Sequence, residues 1–140
     1  MIVSKQIEVL SDGNFNVVNI TGQVSEALRE SGIVHGQALV FYQHTTGSVI
    51  VGEFEAGITA DMMDMFERIA PTRYPYKHHI RDVDFNGHAH VRSALMTSQV
   101  TIPVINGKLA MGTYQEILMI DDQVDNEPRY LVVQITGETQ

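Results

Sequence analysis

The stretch "VTIPVINGKLAMGTYQEILMID", Val100 to Asp121, decides how this chain is built. Two runs rich in Val and Ile flank Asn106-Gly107. Asn-Gly tolerates the two positive φ angles of a type I′ turn, so the spacing predicts a β-hairpin. Its second arm reads as one long strand from Lys108 to Asp121. Within that arm Gly112 predicts a bulge or a close backbone approach. Gln115 is an amide in an apolar run, which suits either a ligand or subunit contact or the exposed face of a sheet.

Outward from the hairpin, "RYLVVQITG" is a final strand. At the other end "VSKQIEVLS" alternates with period two, "SDGN" reads as a turn and "FNVVNI" as the returning strand. Thr21 is a candidate cap for a helix through "GQVSEALRES", with Val24, Ala27 and Leu28 on one face and Gly32 as its stop. "ALVFYQ" and "SVIVGE" are strands that a tight turn at "HTTG" would pair. "AGITADMMDMFERIAP" places Ile58, Met62, Met65, Phe66 and Ile69 at helical spacing, as core filler, ended by Pro71. "AHVRSALMTS" is a short helix. About seven strands and two or three helices, with strands closing the chain, predict a single α+β domain over 1–140 with a mostly antiparallel sheet.

Composition limits the function. There is no cysteine, which removes disulfides, thiolate metal sites and a cysteine nucleophile, and which suits the cytoplasm. The N-terminus has no apolar h-region, and no apolar run is long enough to span a membrane. The net charge of −8 argues against nucleic acid and anionic lipid. The charge is uneven, however. Between Pro71 and Leu95, Arg73, Lys77, Arg81 and Arg92 face only Asp82 and Asp84. A local positive patch in an acidic protein suits a small anionic or phosphorylated substrate, or is a solvated loop.

Four of the six histidines fall in the same segment: His78, His79, His88 and His90. With His44 they are candidate ligands for a divalent metal, zinc or magnesium, or acid–base groups. If Ala89 is helical, the rings of His88 and His90 diverge and only one joins a site. Glu53 is a candidate general base or carboxylate ligand. Glu55 suits a helix N-terminus better. Thr45, Thr46, Ser48, Ser93 and Ser98 are candidate donors to a phosphate. No Walker A, G-x-G-x-x-G or G-x-S-x-G is present.

Taken together, "QHTTGSVIVGE", "YKHH", "NGHAHVRSAL", "SQVTIPVINGKLAMGTYQEI" and "RYLVVQITGE" resemble the YjbQ-like family, often labelled secondary thiamine-phosphate synthase, over nearly the whole chain. The resemblance implies a curved, half-barrel-like sheet, a homotrimer and a histidine-lined pocket. It implies roles for His44, Thr45, Glu53, His78, Asn86, His90, Ser93, Gly112, Thr113 and Gln115. His79 and His88 lie beside the pattern. Tyr114 stands where Trp is usual, and Asp121 where Glu is usual.

Three functions follow as alternatives. One is coupling of hydroxymethylpyrimidine diphosphate with thiazole phosphate. Arg81, Arg92 and Lys77 would then meet the leaving diphosphate, and Glu53 or Asp121 would hold a metal. Another is a metal-dependent hydrolase or lyase in which His44, His78 and His90 ligate the ion and Glu53 activates its water. The third is a trimeric binding module for a small anion, without turnover.

Overall fold

The computed structural model describes residues 1–13, 15–80 and 85–140. The readings that fall on Asn14, in the "SDGN" turn, and on Arg81, Asp82 and Asp84 lie outside the described residues. Among the described residues, eight strands and three α-helices run in the order β1 (Ile2–Val9), β2 (Asn16–Asn19), α1 (Thr21–Ser31), β3 (His35–Tyr42), β4 (Gly47–Gly52), α2 (Ala56–Ile69), α3 (Gly87–Leu95), β5 (Gln99–Ile105), β6 (Lys108–Leu109), β7 (Glu116–Asp121) and β8 (Arg129–Glu138). One sheet has the order β1-β8-β3-β5-β6 and the other β2-β7-β4. Every pairing is antiparallel. The strands curl into a half-barrel, and the fold is α+β as the sequence predicts.

The Asn-Gly turn forms as its chemistry requires. Asn106 has φ 52° and Gly107 has φ 77°, and Ile105 pairs with Lys108 across it. The second arm is shorter than the reading of one strand to Asp121. It stops at Leu109; residues 110–115 form a turn, in which the Gln115 side-chain carbonyl accepts the Gly112 N–H at 2.7 Å. Gly112 thus sits in a turn and not in a strand bulge. The chain then enters β7 in the other sheet. There Ile117, Leu118, Met119 and Ile120, which alternate between the two faces of the central strand of this sheet, are all fully buried, so both faces of β7 are covered. A strand covered on both faces reads as a continuous apolar run.

Two hairpins expected from the sequence are absent. β1 pairs with β8 over eight residue pairs and β2 pairs with β7. β3 lies between β8 and β5, while β4 pairs with β7. β1 and β2 thus lie in different sheets, as do β3 and β4, which "HTTG" connects, and non-local pairing overrides local turn chemistry.

α1 lays Val24, Ala27 and Leu28 into the core, and each of the two larger side chains contributes about 1.5–3 kcal/mol on burial. Thr21 does not cap this helix: its hydroxyl accepts the Ile117 N–H at 2.9 Å and ties α1 to β7. α2 is capped by Glu55, whose carboxylate accepts the Gly57 and Ile58 N–H groups, and it ends before Pro71. Its apolar residues are not core filler. Only Phe66 is buried, and Met65 and Ile69 are exposed on a face that no described element covers; Met63, on another side of the helix, is exposed as well. α3 sits on β4: Ser93 donates to the Gly47 carbonyl at 2.7 Å and Thr97 to that of Val49 at 2.8 Å. Among the described residues no helix is long and apolar enough to cross a membrane.

Candidate functional site

After Pro71 breaks α2, the chain turns back on itself. Tyr76 donates its hydroxyl to the Pro71 carbonyl at 2.7 Å and lies beside Tyr74, with ring centroids 4.9 Å apart. A single 3-10 turn over Lys77–Ile80 follows. Its second residue, His78, meets His90 of α3 with ring centroids 4.7 Å apart, edge to face. His79 faces the start of α3, where its Nε2 accepts the Gly87 N–H at 2.9 Å. Gly87 is required there. A Cβ would stand 2.7 Å from Tyr76 Cβ and 2.9 Å from His79 Nε2.

Asn86 opens α3 without capping it. Its main-chain carbonyl accepts the first helical bonds from Ala89 and His90. Its side chain turns instead to His78 Nε2, at 3.1 Å from Oδ1, and to Gln123 Oε1, at 3.1 Å from Nδ2. Helix phase separates the remaining pair. His88 is buried, and His90 is half-exposed beside His78. Tyr74, Tyr76, Lys77, His78, His90 and Val91 line an open cleft of about 600 Å³.

α3 also carries Arg92, buried against the buried Asp122 and reaching the exposed Glu67. Arg92 Nη1 reaches Asp122 Oδ1 at 2.9 Å and Nη2 reaches Glu67 Oε1 at 3.1 Å. Its Nε donates to the Ala70 carbonyl at 3.0 Å, and the guanidinium lies over the Phe66 ring. Burial, outweighing the Arg92 hydrogen bond, pushes the Asp122 carboxyl up to about 6. Burial and then the Arg92 charge hold the His88 imidazole below its ordinary value. Next to Asp122, Asp121 is committed to Arg129 Nε at 2.9 Å, to the Ser11 hydroxyl and to the Gln123 N–H. Arg92 and Asp121, expected to meet a diphosphate and a metal, are thus tied up inside the protein.

The structure brings His78, Asn86 and His90 together and distributes the other candidates. His44 Nε2 accepts the Tyr130 N–H at 2.8 Å, and its ring stacks on that of Tyr130. Burial, then the Arg129 charge, lowers its pKa. Thr45 and Glu53 are exposed, on the β3–β4 and β4–α2 connections. Ser93 spends its hydroxyl on Gly47. Thr113 and Gln115 line a different cleft, of about 370 Å³, with Thr21 and Lys108. Among the described residues no group of three or more His, Cys, Asp or Glu is arranged to hold a metal, so His44, His78 and His90 do not form one ligand set within this chain. His78 and His90 remain as two adjacent imidazoles suited to a divalent ion. Sequence reasoning missed Gln123, which carries no motif, and left His79 and His88 without a role.

The comparisons agree with this architecture. A family model described as "UPF0047 protein YjbQ-like" matches residues 5–138. A UPF0047 protein of Archaeoglobus fulgidus is 34% identical over 105 residues, covering 75% of this chain and 79% of its own. One from Methanothermobacter thermautotrophicus is 30% identical over 120 residues, covering 86% and 82%. A crystal structure from Sulfolobus solfataricus, described as a YbjQ-like protein of unknown function, superposes with a TM-score of 0.92 at 30% identity over 99% of both chains. A YjbQ/UPF0047 structure from Clostridium acetobutylicum gives 0.86 at 30% identity, over 94% of this chain and 99% of that one. The family match spans residues 5–138, and the chain belongs to the YjbQ-like UPF0047 family.

Proposed function

We propose that this protein is an enzyme acting on a small, anionic, ring-bearing substrate in the His78–His90 cleft. One observation carries the reading: two imidazoles 4.7 Å apart, one anchored by Asn86, at the side of a cleft walled by Tyr74 and Tyr76. Aromatic walls suit a planar ring, and Lys77 with the two histidines suits an anionic group.

The reaction that fits this chemistry best is the one the family resemblance offers. The thiazole nitrogen attacks the methylene carbon of hydroxymethylpyrimidine diphosphate and a C–N bond forms. The C–O bond breaks, and diphosphate leaves with its electron pair. No proton is removed from the attacking nitrogen, so the site's work is to orient two rings and stabilise the leaving charge. Lys77 and the ring N–H groups of His78 and His90 are the groups for that work. A bound divalent ion, zinc or magnesium, would neutralise further charge, and His78 and His90 are the described residues that would hold it.

The test is a coupling assay with both substrates and Mg²⁺ on the wild type, His78→Asn and His90→Asn. The proposal expects product, reduced at least about 100-fold in either variant. No product, or product that ignores both substitutions, overturns it. Thermal stabilisation by substrate without turnover would point to the binding-module reading instead.

The metal-dependent hydrolase reading is favoured by one observation, the adjacency of the two imidazoles. It predicts about one tightly held metal ion per chain that disappears in His90→Ala. The α2 face that carries Met65 and Ile69, both exposed, supports assembly of this chain with copies of itself, as the homotrimer reading requires. Absence of cysteine fits work in the cytoplasm.

A further inference from the structure

The connection after β7 reaches back to His78 through a chain of hydrogen bonds whose donors and acceptors are determined. It begins at a group with no ambiguity. The Val124 backbone N–H donates to the Gln123 side chain at 3.0 Å, so the atom it meets is the amide oxygen. The same oxygen lies 3.1 Å from Asn86, so Asn86 must present its NH₂ there. The other end of the Asn86 amide, at His78, is then its oxygen. An oxygen only accepts, so His78 must donate from Nε2 across the 3.1 Å contact. Gln123 is itself fixed, because its own N–H donates to Asp121 Oδ1 at 3.0 Å and Asp121 is clamped by Arg129.

We propose that Gln123 is a positioning residue that, through Asn86, holds His78 with its proton on Nε2. This rests on the reading of the His78–His90 cleft as the working site. It adds the element that decides which tautomer His78 presents there. Asn86 also connects the two histidines mechanically: its carbonyl receives the His90 N–H at 3.3 Å while its amide grips His78. One residue therefore fixes the start of α3 and the ring opposite it, and Gln123 fixes that residue. The arrangement explains why an Asn at the first position before a helix forgoes its usual capping bond. The same logic separates His78 from His79. His79 Nε2 accepts from the Gly87 N–H, so neutral His79 carries its proton on Nδ1. Two adjacent histidines are thereby held in opposite tautomers.

The experiment is long-range ¹H–¹⁵N correlation on the substrate-free protein at a pH where both rings are neutral. The wild type is expected to show His78 as the Nε2–H form and His79 as the Nδ1–H form. Gln123→Glu keeps an acceptor oxygen for both Val124 and Asn86, and is expected to retain the His78 pattern. Gln123→Leu and Gln123→Met leave Asn86 free to turn its NH₂ toward His78. Each is expected to bring up an Nδ1–H population at His78 while His79 stays as it was. A wild-type His78 in the Nδ1–H form overturns the proposal. So does an unchanged His78 in Gln123→Leu or Gln123→Met. Because the readout needs no substrate, it stands or falls separately from the coupling assay. A correct tautomer pattern with no product would sink the proposed reaction alone, and product with the wrong tautomer would sink this proposal alone.

Discussion

Replacing Arg92 with Met removes the cation from a site where water cannot replace it. Arg92 and Asp122 are each no more than 2% exposed in their side chains, and they meet at 2.9 Å. Asp122 Oδ2 has no partner among the described residues, so Arg92 is the group that makes this carboxylate tolerable. Breaking a buried pair from one side costs about 3–5 kcal/mol, since the remaining charge stays behind without water. Against a domain stability of about 5–15 kcal/mol that is a large share. The loss of the Ala70 and Glu67 bonds and of the contact with Phe66 adds to it.

The cost should also depend on pH, in a direction the structure determines. Burial is what raises the Asp122 carboxyl to about 6, and Arg92 is what restrains that rise. Without Arg92 the folded-state pKa climbs further above the unfolded one. A group whose folded pKa is raised costs stability once the pH exceeds its unfolded value, and the cost grows until the folded pKa is passed. Arg92→Met is therefore expected to be most damaging at pH 8 and partly repaired at pH 5, where Asp122 takes up a proton. Urea unfolding at both pH values measures it. Asp122→Asn added to Arg92→Met should return about 2 kcal/mol at pH 8, a non-additivity that reports the pair directly. The reasoning is refuted by a loss below about 1 kcal/mol at pH 8, or by additive single and double variants.

Three further outcomes are expected. Gly87→Ala pushes a methyl into Tyr76 and the His79 ring, and should cost about 1–3 kcal/mol of stability by thermal unfolding and loosen the cleft. His88 is held neutral by burial and by Arg92, with Glu67, His79 and His90 around it, so its folded pKa lies below the ordinary 6.5 and stability is lost as pH falls through that range. His88→Leu should then gain on the wild type progressively below about pH 6.5, and a difference that does not change with pH would contradict this. Met65→Glu with Ile69→Glu places charge on the uncovered face of α2, and light scattering after size exclusion should show smaller assemblies with little change in monomer secondary structure.

The legible parts of this fold were the locally determined ones. The Asn106-Gly107 turn depends on two φ angles, and the stop of α2 on one proline. The 3.6-residue phase across "HAH" was enough to say that one histidine would leave the site. Pairing was less legible, because the partners of β1 and β2 lie at the far end of the chain, in β8 and β7. Periodicity found the apolar face of α2 but carried no information on what covers it. At the site, His78, Asn86 and His90 came from one segment and were found by motif. Arg92, Glu67 and Asp122 come from three segments, and only their meeting turns an apparent anion-binding arginine into a buried tie. Gln123 acts through an amide two bonds removed from the imidazole it orients, and nothing in its neighbours "IDDQV" distinguishes it from a loop residue.

The measurement that tests the central claim most directly is a titration of the protein with inorganic pyrophosphate, followed through the imidazole resonances of all six histidines. The account predicts that His78 and His90 shift together and saturate, with His35 and His44 unmoved, and that His90→Asn abolishes the effect at His78. Shifts centred on His44, or saturable binding that leaves His78 and His90 unchanged, would place the working site elsewhere on the molecule.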